Sequence, residues 1–189
     1  DQIMAACGLD MMGKGTLSGN TIVATVMSNL GLHVYTKEHG MNLECTSVGD
    51  RNVLERMLEK GYKLGGEQSG HMIFLDYATT GDGQLTALQM LALLKESGKK
   101  ASELFGACPR YPQVLINIPV ADNDVKKAVM ASPLLAQAVE REEAALAGEG
   151  RVLVRPSGTE ALMRVMVEAR TEATARTVAS RLADLIAAL

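Results

Sequence analysis

Within six consecutive residues, Arg155-Pro156-Ser157-Gly158-Thr159-Glu160, the chain brings together a guanidinium, two hydroxyls and a glycine. A guanidinium fork matches phosphate or carboxylate oxygens in two parallel bonds, the hydroxyls add donors, and glycine lets backbone N–H groups turn toward one anion. Together these groups can form a phosphate cup, and Arg164 further along offers a second positive charge. A Walker A loop is excluded because no Gly-Lys-Ser/Thr follows. The same residue types also build an ordinary hairpin loop with Arg155 in a surface ion pair, and composition does not separate the two readings.

Gly65-Gly66-Glu67-Gln68-Ser69-Gly70-His71 is the second stretch with chemical content. Glycines at both ends permit a ligand to approach the backbone closely, and in an extended stretch alternation places Glu67, Ser69 and His71 on one side. A carboxylate beside a hydroxyl suits sugar hydroxyls, which need acceptors and donors together, while His71 can carry protons near neutral pH. A glycine turn with exposed polar residues is the competing reading, and a lone histidine is often merely hydrogen-bonded.

Weaker candidates follow. Asp50-Arg51 comes after Gly49 at a strand end, where ligand loops of α/β sheets lie, but an Asp at a helix start is more often a cap, so Asp50 is expected to cap and Arg51 stays open. Asp82, in Thr80-Gly81-Asp82-Gly83, supplies one carboxylate, too few for a hard-cation cage, and is expected to cap the next helix. His33 and His39 lack metal-ligand spacing, and no metal site is visible in the chain.

These residues need elements to hold them. Thr21–Met27 is a β-branched apolar run with the pattern of a buried strand, followed by Ser28-Asn29 as caps for a helix over Leu30–His39. Leu43–Thr46 repeats the strand, and Val53, Leu54, Met57 and Leu58 recur at helical spacing until Gly61. Met72–Leu75 is a further strand. Leu85, Leu88, Leu91 and Leu94 mark a helix whose neighbours are also apolar, which predicts burial on more than one face. Strand, helix, strand, helix argues for a parallel α/β layer.

Two prolines in Cys108-Pro109-Arg110-Tyr111-Pro112 discourage regular structure and mark a linker. Beyond it the pattern reads as a strand near Val114–Ile118, helical material over Asn123–Leu146, strands at Arg151–Arg155 and Leu162–Ala169, and a final helix from Glu172. The expected fold is therefore α/β: a parallel-type mixed sheet domain over 1–112, then a smaller α+β domain over 113–189 with helices on one face of its sheet.

Composition bounds the rest. The 189 residues suffice for one or two domains with a real core, and 47% hydrophobic against 22% charged residues excludes disorder as the dominant state. Nineteen Lys+Arg against 22 Asp+Glu leave a charge of −3, with no general attraction to nucleic acid or anionic lipid, so any anion site must be local. No apolar run approaches the ~20 residues needed to span a bilayer. Three widely spaced cysteines, Cys7, Cys45 and Cys108, suggest neither a disulfide framework nor a thiolate zinc site. The expected location is the cytoplasm.

Thr25-Val26-Met27-Ser28-Asn29-Leu30-Gly31-Leu32, Val48-Gly49-Asp50-Arg51, Gly65-Gly66-Glu67-Gln68-Ser69-Gly70-His71, Thr79-Thr80-Gly81-Asp82-Gly83 and Arg155-Pro156-Ser157-Gly158-Thr159-Glu160, in that order, resemble the bacterial phosphoglucosamine mutases of the α-D-phosphohexomutase superfamily. The likeness spans nearly the whole chain. It implies the third and fourth domains of a four-domain enzyme, with room for a remnant of the second at the start. The phosphorylated serine and the Asp-rich loop that holds Mg²⁺ belong to the first two domains, so no metal is expected on this chain.

The resemblance further implies conversion of glucosamine 6-phosphate to glucosamine 1-phosphate through a bisphosphate, feeding amino-sugar synthesis for the cell wall. Partners would be the phosphorylated amino sugar and the N-terminal half of the same enzyme. Glu67 and Ser69 would hold sugar hydroxyls, and Arg155, Ser157, Gly158 and Thr159, with Arg164 nearby, would grip the phosphate that is not transferred. His71 and Arg51 would stand near the reacting end. Ala161 departs from the family's usual proline and loosens the loop exit. Alternatives are a phosphomannomutase or phosphoglucomutase of the same superfamily, or a non-catalytic phosphosugar-binding module.

Overall fold

The computed structural model describes residues 1–189, which divide into two compact units, Asp1–Arg110 and Tyr111–Leu189. In the first unit the order is α1 (Gln2–Gly13), β1 (Thr21–Thr25), α2 (Leu30–Glu38), β2 (Asn42–Thr46), α3 (Asp50–Lys60), β3 (Leu64–Gly66), β4 (Met72–Phe74), α4 (Gly83–Ser97) and the short α5 (Ala101–Leu104). The sheet order is β2-β1-β3-β4. β1 runs parallel to both β2 and β3, and β3 pairs antiparallel with β4.

Alternation along the strands sorts the core into two layers. Ile22 and Ala24 of β1, with Leu64, Met72 and Phe74, pack with α1, α2 and Leu93 of α4 on one face. Val23 and Ile73 meet Val53 and Met57 of α3 on the other. The sheet is thus covered on both sides, as parallel strands require. Val53 and Met57 are fully buried, and each contributes about 1.5–3 kcal/mol by leaving water. Their close seat depends on Gly65, where an added Cβ would lie 2.5 Å from Met57 Sδ and 2.8 Å from Val53 Cγ1.

The expected strand–helix alternation holds, with three differences. α1 has no counterpart among the expected elements: its apolar residues run continuously and carry little helical periodicity, yet Met4 through Gly8 are buried. β1 ends at Thr25, two residues short of the apolar run, because Val26 and Met27 turn toward Asn29, whose side chain accepts the Gly31 amide at the start of α2. α4 is not buried on several faces. Only Thr86 and Leu93 are buried, while Leu88 and Leu91 are 65% and 62% exposed, since helical spacing points them away from the sheet.

In the second unit, β5 (Gln113–Pro119), α6 (Asn123–Met130), α7 (Pro133–Leu146), β6 (Gly150–Pro156), β7 (Leu162–Ala169) and α8 (Glu172–Ala188) form an antiparallel sheet of order β5-β7-β6 with helices packed against it. Met163, Val165 and Val167 of β7 share one core with Val129, Leu135, Val178, Ala179 and Leu182 of the helices. The helical material expected over Asn123–Leu146 is divided into two helices. Pro133, which fits the first turn of a helix but not its interior, starts α7 after Ser132.

Candidate functional site

In the first unit the carboxyl ends of β1, β2 and β3 lie along one edge of the sheet. β1 is central there: the chain passes from β1 through α2 to β2 on one side, then back through α3 to β3 on the other. Such a reversal opens a crevice beyond the strand ends, where ligands bind in open α/β sheets. Three loops meet at this edge: Ser47–Asp50 after β2, Glu67–His71 after β3, and the segment before α4.

Glu67–His71 does not continue as an extended strand. It is a hairpin turn closed by Glu67 N–H donating to the His71 carbonyl at 2.8 Å and Gly70 N–H donating to the Glu67 carbonyl at 3.0 Å. Gly70 takes φ +109°, which a residue with a Cβ adopts only under strain. Glu67 and His71 therefore share a side because they face each other across the hairpin, not by alternation along one strand. Ser69 is exposed at the tip.

The Glu67 carboxylate accepts the Gly49 amide at 3.0 Å, which ties the hairpin to the loop opening α3. Gly49 occupies the cap position with φ +126°, so Asp50 is the first helical residue rather than the cap. Asp50 Oδ1 accepts the Arg51 amide at 2.8 Å, and Oδ2 lies 3.8 Å from His71 Nε2. Across the His71 ring stands Gly81, where any Cβ would overlap the imidazole. Asp82 caps α4 as expected, accepting the amides of Gln84 and Leu85. Arg51 is not gathered into this cluster: its side chain is 86% exposed and pairs with Glu55 one helical turn on.

In the second unit, β6 and β7 pair so that Arg155 lies directly opposite Arg164. Like charges in that position repel. Arg164 is compensated by Glu160 at 2.6 Å, whereas the Arg155 guanidinium makes no hydrogen bond or ion pair. Burial first, and Arg164 second, push the Arg155 pKa down from its ordinary value. A half-buried guanidinium beside a second arginine has the electrostatics of an anion site.

The connecting loop turns its carbonyls inward. Ser157 is buried; its N–H donates to the Leu162 carbonyl at 2.8 Å, and its hydroxyl accepts the Glu160 amide at 3.2 Å. The amides of Gly158 and Thr159 and the Thr159 hydroxyl have no partner in the protein, and both residues are exposed. The loop's exit at Ala161 is held by the Val120 amide at 3.0 Å. Underneath, Lys126 of α6 donates to the Ser157 and Glu160 carbonyls at 2.9 and 2.6 Å. The sequence motifs contain Gly49 and Gly81 without showing their contacts with Glu67 and His71, and they do not reach Lys126 at all. Its place three residues before Val129, on the buried stripe of an amphipathic helix, was the available signal.

The chain holds no group of three or more His, Cys, Asp or Glu side chains able to bind a metal ion. No helix is long and apolar enough to cross a membrane. None of the three cysteines is in a disulfide.

Comparison with known proteins bears on both units. The profile of the phosphoglucomutase/phosphomannomutase alpha/beta/alpha domain III matches residues 1–111, and that of the phosphoglucomutase/phosphomannomutase C-terminal domain matches residues 115–185. The phosphoglucosamine mutase of Saccharopolyspora erythraea is 54% identical over 189 residues, all of this chain and 42% of that protein. That of Ruminiclostridium cellulolyticum is 58% identical over 170 residues, 90% of this chain and 38% of that protein.

Among solved structures, N-acetylphosphoglucosamine mutase of Aspergillus fumigatus superposes with a TM-score of 0.82 at 18% identity, covering 99% of this chain and 43% of that one. The same enzyme in complex with GlcNAc-6P and magnesium gives 0.79 at 19% identity, covering 98% and 46%. The chain spans about two fifths of the length of the curated relatives it matches. It belongs to the phosphoglucomutase/phosphomannomutase family and corresponds to the C-terminal part of its phosphoglucosamine mutase relatives.

Proposed function

We propose that these 189 residues are the substrate-recognition half of a phosphoglucosamine mutase, which interconverts glucosamine 6-phosphate and glucosamine 1-phosphate through a bisphosphate intermediate. The observation that carries this reading is the unpaired Arg155 guanidinium beside the open amides of Gly158 and Thr159. That arrangement supports a fixed grip on a phosphate ester. Arg155, Ser157, Gly158 and Thr159 hold the phosphate that is not transferred, with Arg164 steering from the neighbouring strand, and Glu67 and Ser69 hold ring hydroxyls. His71, between Asp50 and Gly81, and Arg51 lie toward the reacting end.

The division of labour follows from the chemistry. A bisphosphate that must present first one end and then the other needs a distal anchor indifferent to which end it holds, together with hydroxyl contacts that tolerate both poses. The arginine loop suits the first need because it reads a phosphate and not the sugar. Transfer itself requires an activated phosphoryl donor and neutralisation of charge by a cation. In this reading Mg²⁺ and the phosphate-carrying serine lie in the remaining three fifths of the enzyme, which works in the cytoplasm. Glucosamine 6-phosphate titrated into the 189-residue chain should bind without being turned over. Mutase turnover by the chain alone would sink the division of labour, and absence of binding would sink the recognition role. Comparing glucosamine, glucose and mannose phosphates on the full-length enzyme tests the amino-sugar assignment.

A further inference from the structure

Lys126 is 7% exposed, and the partners of its ammonium are two neutral carbonyls, those of Ser157 and Glu160. Buried lysines ordinarily face a carboxylate. Here the acidic groups around it are engaged elsewhere. Asp122 caps α6 through the amides of Asp124 and Val125, Asp124 pairs with Lys127 at 3.0 Å, and Glu160 directs its carboxylate to Arg164. A positive charge is therefore kept beneath the arginine loop with no anion of the chain to neutralise it.

Peptide geometry says what those two bonds do. A trans peptide carries its C=O and the following N–H on opposite sides of one plane. Drawing the Ser157 carbonyl down onto Lys126 therefore aims the Gly158 N–H the other way, out of the loop. The Glu160 carbonyl does the same for Ala161 N–H. Neither amide has a partner in the protein. Resting on the phosphate-site reading above, we propose that Lys126 is a positioning residue of the anion site: it fixes the peptide planes of the loop so that the Gly158 amide is presented to the phosphate, and it leaves its own charge to be balanced by that phosphate.

The test titrates inorganic phosphate and glucosamine 6-phosphate into the unaltered chain and into Lys126→Met, reading affinity by calorimetry and the Gly158 amide by NMR. Lys126→Met should lose at least tenfold in affinity for both, and its Gly158 amide resonance should no longer respond to phosphate. If the unaltered chain binds and Lys126→Met binds equally, with the same Gly158 response, the positioning role falls while the phosphate site stands. If the unaltered chain binds neither probe, the phosphate reading falls and takes this inference with it. Should Lys126→Met fail to fold, the unaltered chain labelled with ¹⁵N-lysine decides: the Lys126 Nζ signal must shift with the same midpoint as the Gly158 amide. A silent Nζ beside a moving Gly158 overturns the proposal.

Discussion

Arg155 and Arg164 stand opposite each other on neighbouring antiparallel strands, and Glu160 compensates only Arg164. The repulsion between them is a cost that an anion held by Arg155, as proposed, would relieve. Arg155→Ala should therefore weaken binding of glucosamine 6-phosphate by ~1.5–3 kcal/mol, the range for a charge-assisted pair, while leaving the unit folded or slightly more stable. Titration calorimetry beside thermal melting checks both halves; unchanged affinity in a folded variant contradicts the assignment.

Glu67→Ala leaves the Gly49 amide without its carboxylate. Loss of a charged hydrogen bond at a partly exposed site should cost about 1–2 kcal/mol of stability in the first unit and speed hydrogen exchange at Gly49. On the proposed hydroxyl-binding role, sugar-phosphate affinity should fall further than inorganic-phosphate affinity, since Glu67 is assigned to the sugar and not to the phosphate. Equal losses for both probes would speak against a hydroxyl-binding role.

Gly31 sits where an added Cβ would overlap the Pro109 carbonyl, a backbone atom that no side-chain rotation can move. Gly31→Ala should destabilise the first unit by about 1–3 kcal/mol, the usual cost of overpacking. At Gly81 the obstacle is the half-exposed His71 ring. Gly81→Ala should shift the His71 imidazole resonances and barely move the melting temperature, because that ring can swing away.

Burial pushes the Cys7 thiol up to about 12 and the Cys108 thiol up to about 11, with Asp10 adding to the first. At pH 8 both stay protonated and shielded, so iodoacetamide should label the exposed Cys45 well before either of them; mass spectrometry of the labelled chain reads this directly. The folded state favours the neutral thiols. Their contribution to stability is thus full below the unfolded value of 9.0 and is lost as pH rises through 11 to 12. Denaturant midpoints should decline across that alkaline window, and less steeply in Cys7→Ser.

Much of the scaffold could be read from pattern. Val23 between Ile22 and Ala24 is a strand buried on both faces, and Pro156-Ser157-Gly158 marks the turn of a hairpin. Long-range pairing could not be read. Glu67 was legible as a carboxylate near glycines, but not as the partner of Gly49, eighteen positions earlier. Lys126 reaches carbonyls more than thirty residues ahead, and local propensity carries no trace of that. The burial expected of Leu88 and Leu91 failed for a related reason: periodicity reports a helix, whereas what covers each side depends on neighbours supplied by the rest of the fold.

The two outer strands that flank β7 end in Pro119 and Pro156, and the outer strand β4 is only three residues long. A proline has no N–H to offer an incoming backbone, and so short a border gives little to template upon. At those two strand ends the small antiparallel sheet has no donor to offer a recruited chain, and the first unit's sheet presents only a short border at β4.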